Sequence, residues 1–238
     1  MKVLVTRSEP DASDFADLCR AHGLDPIIAQ VMEIRIHEKR VDLAGAGALA
    51  FTSANGVRAF AANETRRDLP VFAVGAVTAD AAKAAGFKNV NAADGDVESL
   101  AHHIGAERDK AAKGVLHIAG EDRAGDLVAL LRAAGIGAHR LTLYEAASLK
   151  ALPDEVVRLL KNDPPEWVTF FSPRTARLFV ELAEAVNAAS RFGDMRAACL
   201  SDAVAEAAGN NWRERRVAPE RSAESLVRLI AANGGAHA

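Results

Sequence analysis

A cluster of small hydroxyl and amide residues follows an apolar segment in the first half of the chain. Residues 49–60 read LAFTSANGVRAF, so a segment with strand character stops abruptly and a helical pattern follows at once. Small residues let a ligand approach the backbone closely, and the free amides of a helix N-terminus suit an anion. The candidate ligand-binding residues in this segment are Ser53, Ala54 and Asn55.

Similar residues follow the other apolar segments. In open α/β sheets, ligands bind beyond the carboxyl ends of the strands, which makes these residues candidates for the same site. The alternative is that the serines only cap helices, as Ser, Thr and Asp commonly do. Both interpretations stay open for Ser53, Ser172 and Ser201. The other candidates are Thr6, Arg7, Gly75, Thr78, Arg123 and Arg174, and for the three arginines the alternative is an exposed residue at a strand end.

Tyr144 is the only tyrosine of the chain, and the pattern predicts that it ends a strand over 139–144. A tyrosine in such a place is commonly an interface aromatic with its hydroxyl in water. The alternative is that Tyr144 takes part in catalysis. Phosphate-loop, dinucleotide and serine-hydrolase motifs are not matched, and the histidines are scattered, so neither a cofactor nor a metal is expected.

Composition excludes several functional classes. The chain has 238 residues, a formal net charge of -3 and a pI near 6.2, so it has no chain-wide basic field for nucleic acid. Cys19 lies in an amphipathic helix pattern and Cys199 in an apolar strand, and both are expected to be small core residues. The N-terminus has the pattern of a strand, and no apolar segment approaches membrane-spanning length. We therefore expect a cytoplasmic protein that binds neither nucleic acid nor membrane, and a monomer by default.

The chain also repeats itself. Three blocks recur in the same order at offsets of 112, 119 and 126 residues, which indicates a duplicated unit with two loop insertions. The matched pairs are 3–34 with 115–146, 51–60 with 170–179, and 68–82 with 194–208.

Each unit alternates short apolar strands with helical patterns, the first over about 11–22. This alternation is typical of parallel βαβ units with both sheet faces covered. The predicted fold class is α/β, with two flavodoxin-like domains of five strands each.

Taken together, the ordered motifs resemble bacterial-type uroporphyrinogen-III synthases over essentially the whole chain. The resemblance rests on LVTR, FTSANGVRAF, AVGAVTADAAKAAG, VL…AGEDR, LTLYEA and FFSPRTARLF. It implies two α/β domains that face each other across a ligand cleft and are joined by a two-stranded linker. The implied boundaries are 1–36 with 149–238 for domain one, 41–142 for domain two, and 37–40 with 143–148 for the linker.

The resemblance also implies a reaction. Family members are lyases that cyclise hydroxymethylbilane to uroporphyrinogen III, without a cofactor, with loss of water and inversion of ring D in heme biosynthesis. Tyr144 then matches the tyrosine that helps the hydroxyl depart. The substrate-binding residues match those named above, and Arg7, Arg123 and Arg174 would supply a local positive field for the eight substrate carboxylates. Ser201 and Val204 replace a glycine and threonine of many members, so Ser201 would take over part of that contact. A transient contact with hydroxymethylbilane synthase is also implied.

The alternative function is a two-lobed cytoplasmic binding protein that closes on a small anionic ligand without chemistry. Product analysis discriminates the two, because a binding protein would leave the ring closure of hydroxymethylbilane unchanged.

Overall fold

Strands and helices alternate along almost the whole chain. The computed structural model describes residues 1–122 and 125–232. The strands of this part are β1 (Lys2–Val5), β2 (Asp25–Ile28), β3 (Met32–Ile36), β4 (Ala48–Phe51), β5 (Val71–Ala73), β6 (Val90–Ala92), β7 (Val115–Gly120), β8 (Ala138–Ser148), β9 (Trp167–Phe170), β10 (Arg196–Cys199) and β11 (Glu214–Val217).

The helices cover the sheets and connect the strands. They are α1 (Asp11–Ala21), α2 (Ala54–Asn63), α3 (Ala76–Ala84), α4 (Val97–Ala106), α5 (Leu127–Ala133), α6 (Asp154–Asn162), α7 (Pro173–Ala185), α8 (Asp202–Ala208) and α9 (Ala223–Ala231), with a 3₁₀ helix at Ala189–Asp194. Within the described ranges, none of them has both the length and the apolar character needed to cross a lipid bilayer.

The chain forms two compact units. Unit 1 contains Met1–Glu33 and the chain from Ala147 onward, and unit 2 contains Ile34–Ala146. The two boundaries fall inside β3 and near the end of β8.

Unit 1 has a five-stranded sheet in the order β2-β1-β9-β10-β11, and its paired strands run parallel. In sequence order within the unit this is 2-1-3-4-5, the flavodoxin-like order. The predicted fold class is therefore confirmed for this sheet. The register places Leu4 beside Val168 and Ala198 beside Thr169.

The sheet of unit 2 has six strands, in the order β3-β8-β7-β4-β5-β6. When β7 and β8 are taken as the equivalents of β1 and β2, the strands β4, β5 and β6 follow them in the same order as β9, β10 and β11 in unit 1. The internal repeat predicts this correspondence. The prediction of five strands per unit is wrong for this sheet, because β3 pairs with the outer side of β8 and adds a sixth strand.

Both sheets bury two apolar faces. In unit 2, Leu49 and Phe51 pack with α2 on one face, whereas Ala48, Ala50 and Phe72 pack with α4 and α5 on the other. This alternation follows from the two-residue period of a strand. The two faces of the unit 1 sheet are buried in the same way.

Both cysteines lie in the core of unit 1, as expected from the sequence. Cys19 and Cys199 are fully buried, and burial raises the pKa of each thiol to about 12. They are therefore protonated at neutral pH.

Candidate active site

The first turn of α2 displays the segment that follows β4. Ser53 is the N-cap residue, and its Oγ accepts a hydrogen bond from the backbone N–H of Asn55 at 3.1 Å. The Asn55 side chain accepts a hydrogen bond of 2.7 Å from Arg58. The predicted capping role of Ser53 is thus confirmed, and Ala54 begins the helix beside it. Capping is not the only interaction of the Ser53 side chain, because its hydroxyl also forms a hydrogen bond with Tyr144.

Tyr144 lies inside β8, so the expectation that it ends a strand is wrong. The pairing of β7 with β8 shifts register between Ala119 and Gly120. Ala119 is opposite Thr142, whereas Gly120 is opposite Tyr144. The bulge changes the direction of the Tyr144 side chain, because the extra residue in β8 shifts the alternation of side chains between the two faces of the sheet.

Gly120 makes room for the tyrosine ring. A Cβ at this position would lie 2.7 Å and 2.8 Å from Cε2 and Cζ of Tyr144, which is shorter than a real contact. Only a residue without a side chain therefore lets the ring lie this close to the backbone of β7. The backbone of Gly120 also contributes a hydrogen bond to the phenol.

The phenol of Tyr144 is a hydrogen-bond donor at neutral pH. Burial raises its pKa above the ordinary value of 10, and the nearby Asp122 acts in the same direction. The Ser53 hydroxyl, Arg140 and the Gly120 backbone lower it without reversing the net shift. A neutral phenol can donate its proton to a leaving oxygen but does not act as a nucleophile.

Arg140 fixes the end of β7. Its Nη2 donates hydrogen bonds to the carbonyl oxygens of Gly120 and of Glu121, the latter at 3.3 Å. The backbone N–H of Glu121 in turn donates to the carbonyl oxygen of Tyr144 at 2.9 Å. These bonds hold the backbone against which the tyrosine ring packs.

A cavity of about 600 Å³ opens beside these residues within unit 2. Thr52, His117 and Arg140 lie on the sheet face that carries α4 and α5, since they follow the alternation of Ala50, Val115 and Ala138. The cavity is completed by the start of α4 and the segment after β7. Its lining includes Thr52, Ser53, Val74, Asp96, Val97, Glu98, His117, Ala119, Gly120, Asp122, Leu127, Arg140 and Tyr144.

His117 is a deeply buried titratable group of this cavity, with 7% of its surface exposed. Its Nε2 lies 3.2 Å from Oγ1 of Thr52, whereas its Nδ1 has no hydrogen-bond partner among the described residues. Burial lowers the pKa of the imidazole to about 4, and the positive charge of Arg140 adds to the shift, against a small opposing effect of Asp126. The ring is therefore neutral at physiological pH.

Two further predicted residues of unit 2 lie at α3. Gly75 is its N-cap residue, with an extended backbone, and Thr78 is buried in its first turn. Neither is among the described residues that line the cavity. Arg123 lies outside the described residues.

In unit 1, the predicted residues after β1 are already engaged within the unit. Thr6 is 1% exposed, and its hydroxyl donates to the carbonyl oxygen of Thr169 at 2.6 Å. Arg7 donates to the Asp11 carboxylate at 2.8 Å, and its guanidinium carbon lies 4.2 Å from the centre of the Phe171 ring. The stacking orients the guanidinium at the carboxyl end of the sheet.

The serines of unit 1 differ in their bonding. Ser172 caps α7, because its Oγ accepts from the Thr175 backbone N–H at 3.1 Å, and its hydroxyl also lies 2.7 Å from that of Thr175. Ser201 stands at the N-cap of α8 but makes no side-chain cap hydrogen bond in the described part of the chain. Capping is thus confirmed for Ser172 and wrong for Ser201. Arg174 lies half-buried in the first turn of α7.

Residues 13–228 match the model of the protein family HEM4, which is described as uroporphyrinogen-III synthase HemD. The match covers far more than half of the chain.

This chain belongs to the uroporphyrinogen-III synthase family.

Solved structures of uroporphyrinogen-III synthases share the fold. The uroporphyrinogen-III synthetase of Helicobacter pylori is 18% identical, with 98% of each chain covered and a TM-score of 0.65. A mutant uroporphyrinogen III synthase of the extremely thermophilic bacterium Thermus thermophilus is 16% identical, with 98% of this chain and 99% of that chain covered and a TM-score of 0.51. At these identities the likeness concerns the fold alone. Curated proteins gave no significant match.

Membership of the uroporphyrinogen-III synthase family confirms the resemblance seen in the motifs. The family makes this chain an enzyme of heme biosynthesis with hydroxymethylbilane as its small-molecule substrate. The family match does not favour the alternative of a binding protein without catalytic activity.

Sequence reasoning missed His117 and Arg140. A polar residue inside the apolar strand VLHIAG could have drawn attention to His117, because a fully buried strand has no solvent for an imidazole. In the part of the chain that the structure describes, no three His, Cys, Asp or Glu side chains cluster to hold a metal ion.

Proposed function

We propose that this protein is a uroporphyrinogen-III synthase, a lyase that cyclises hydroxymethylbilane to uroporphyrinogen III with loss of water and inversion of ring D. Family membership over residues 13–228 carries this proposal. The geometry supports it by placing one buried, protonated phenol beside a serine hydroxyl at the edge of a cavity.

Tyr144 assists the departure of the hydroxyl group. The hydroxymethyl carbon of the substrate loses its hydroxyl while the pyrrole nitrogen of that ring loses its proton, so that one water leaves and an electrophilic azafulvene remains. The Tyr144 hydroxyl donates a hydrogen bond or a proton to the departing oxygen, for which the raised pKa keeps it protonated. The Ser53 hydroxyl holds the phenol in place.

Ring inversion requires control of the substrate's conformation. Attack by the substituted carbon of ring D gives a spiro intermediate, which fragments and recloses in the other orientation. Because unassisted closure readily gives the other isomer, positioning contributes more than strong acid or base. The buried supports of Tyr144, namely Gly120 and Arg140, fit such a role because they fix the ring through backbone contacts.

The substrate carboxylates need donors at the carboxyl ends of the strands. In unit 1 we assign this role to Arg7, Arg174, Ser172 and Ser201, of which Ser201 is not used as a cap within the described ranges. In unit 2 we assign it to Asn55, Gly75 and the first turns of α2 and α3, whose N-terminal amides favour negative charge. Thr6, Ala54, Thr78 and Arg123 belong to the same proposed set.

We further propose that the chain consists of two domains, 1–36 with 149–238 and 41–142, connected by 37–40 and 143–148. The unit boundaries at Glu33 and Ala147 support this division. A cytoplasmic location and a transient contact with hydroxymethylbilane synthase are part of the proposal and follow from the place of the family in tetrapyrrole synthesis.

A coupled assay tests the proposal. Hydroxymethylbilane is generated in place by its own synthase, this protein is added, and the oxidised porphyrins are separated into type I and type III isomers. The proposal expects type III from the wild type and a lower rate of its formation from Tyr144→Phe at unchanged folded content. Type I alone from folded wild-type protein would contradict it and favour a binding protein for a small anionic ligand.

Paired serine variants separate chemistry from capping. Ser53 and Ser222 are both N-cap serines that accept one backbone N–H at 3.1 Å, but of the two only Ser53 contacts Tyr144. Each change to alanine is expected to lower the free energy of unfolding by about 1 kcal/mol. Only Ser53→Ala should also slow the formation of the type III isomer. Equal rates for both variants would remove Ser53 from the mechanism.

A further inference from the structure

The wall of the unit 2 cavity includes a residue with an unpaired buried nitrogen. His117 forms part of the cavity wall, its Nε2 lies 3.2 Å from Oγ1 of Thr52, and its Nδ1 is buried without a partner in the described part of the chain. Buried polar atoms are nearly always hydrogen-bonded, so an unpaired atom in a cavity wall indicates a missing partner. A ligand in the cavity can supply one.

A neutral imidazole leaves one of its two ring nitrogens as a hydrogen-bond acceptor. The ring is neutral, since burial and the charge of Arg140 lower its pKa to about 4. When Nε2–H donates to the Thr52 hydroxyl, Nδ1 keeps its lone pair and is an acceptor. The Nδ1 atom then matches a neutral N–H donor on a ligand.

The acidic side chains of the cavity wall disfavour a carboxylate beside them. Among the described lining residues, the cation Arg140 already donates to two backbone carbonyl oxygens, whereas Asp96, Glu98 and Asp122 bring negative charge. A substrate carboxylate brought beside these groups would be repelled. The apolar side chains of the wall, among them Val74, Val97 and Leu127, instead suit a flat, uncharged ring.

We propose that this cavity takes one pyrrole ring of the substrate, and that Nδ1 of His117 accepts the hydrogen bond of its N–H. The proposal rests on the proposed function for the identity of the ring. It adds a substrate-binding residue from the buried centre of β7, outside the strand-end residues predicted from the sequence. The substrate carboxylates then lie away from the acidic side chains of Asp96, Glu98 and Asp122.

Two substitutions separate substrate binding from support of Thr52. In His117→Gln the side-chain amide can reach the position of Nε2 and keep the contact with Thr52, but nothing replaces Nδ1. In His117→Asn the amide oxygen can replace Nδ1 as an acceptor, but the contact with Thr52 is lost. Far-UV circular dichroism checks that both variants are folded.

The coupled assay then gives a pattern that a purely structural role would not produce. We expect His117→Gln to raise KM about two- to tenfold with kcat little changed, the effect of one lost hydrogen bond, and His117→Asn to stay within about twofold of the wild type. The reverse order, with His117→Asn impaired and His117→Gln normal, would show that His117 only supports Thr52 and would overturn the proposal.

A binding measurement does not depend on turnover. The imidazole nitrogens of ¹⁵N-histidine-labelled protein are observed while a monopyrrole bearing one acetate and one propionate is added, and the His117 signals are assigned by their loss in His117→Gln. The proposal expects the Nδ1 signal to move with this probe and to stay in place with its N-methyl analogue. No movement with the first probe, or equal movement with both, would refute it. If the wild type yields only type I porphyrin, the proposed function fails, whereas this experiment still decides whether Nδ1 accepts a pyrrole N–H.

Discussion

The buried imidazole of His117 predicts a defined loss of stability in mild acid. The pKa of His117 is lowered from 6.5 to about 4 in the folded protein, so the unfolded chain binds a proton that the folded chain does not. Above pH 6.5 neither state is protonated at this site and the group has no effect. As the pH falls below 6.5, the free energy of unfolding decreases, and the loss is complete below pH 4.

The size of this loss follows from the two pKa values. With 6.5 in the unfolded and about 4 in the folded state, the free energy of unfolding at pH 5 is lower by about 2 kcal/mol than at neutral pH because of this one group. Other groups titrate in the same range, so the quantity to compare is the pH dependence of the wild type against that of His117→Gln. Glutamine does not titrate and can keep the contact with Thr52.

Urea unfolding at pH 7 and pH 5, followed by far-UV circular dichroism, measures the difference. Both tryptophans, Trp167 and Trp212, lie in unit 1, so their fluorescence reports on that unit and serves as an internal reference. We expect the wild type to lose about 2 kcal/mol more than His117→Gln between the two pH values. Equal losses would refute the burial of a neutral imidazole at this position.

Three further predictions concern the supports of the site. Gly120→Ala is expected to slow type III formation by roughly tenfold or more, because its Cβ would lie 2.7 Å from the Tyr144 ring and displace it; an unchanged rate in the coupled assay would contradict this. Tyr144→Phe is expected to lower kcat while the melting temperature shows that the protein stays folded, and normal kcat would remove the phenol from the mechanism. Thr6→Val is expected to lower the free energy of unfolding by about 1 kcal/mol, because it removes a buried hydrogen bond of 2.6 Å; urea unfolding measures this, and wild-type stability would contradict it.

The internal repeat made much of the fold predictable. The matched blocks 3–34 and 115–146 correspond to β1 with β2 and to β7 with β8, which occupy equivalent places in their sheets. Apolar strands between helical patterns were enough to predict the parallel sheets. The sixth strand, β3, was not predictable from the repeat. The repeat matches β3 with the end of β8, and among the described residues no strand of the unit 1 sheet holds the corresponding edge position beside β2.

The candidate site was predictable only in part. The hydroxyl and amide residues around Ser53 follow from the strand-to-helix pattern, and Tyr144 was found because it is the only tyrosine. The bulge after Ala119, which sets Tyr144 against Gly120, depends on the register of two strands separated by a helix. The roles of His117 and Arg140 likewise depend on that register, which places them side by side.

The fraction of type III isomer at increasing protein concentration measures whether this protein directs the closure of the ring. Hydroxymethylbilane is supplied at a fixed rate, so that enzymatic closure competes with spontaneous closure to type I. We expect the type III fraction to rise with the concentration of the wild-type protein until type I disappears, and Tyr144→Phe to need more protein for the same fraction. A constant product ratio at every concentration of folded protein would show that the protein does not direct ring closure.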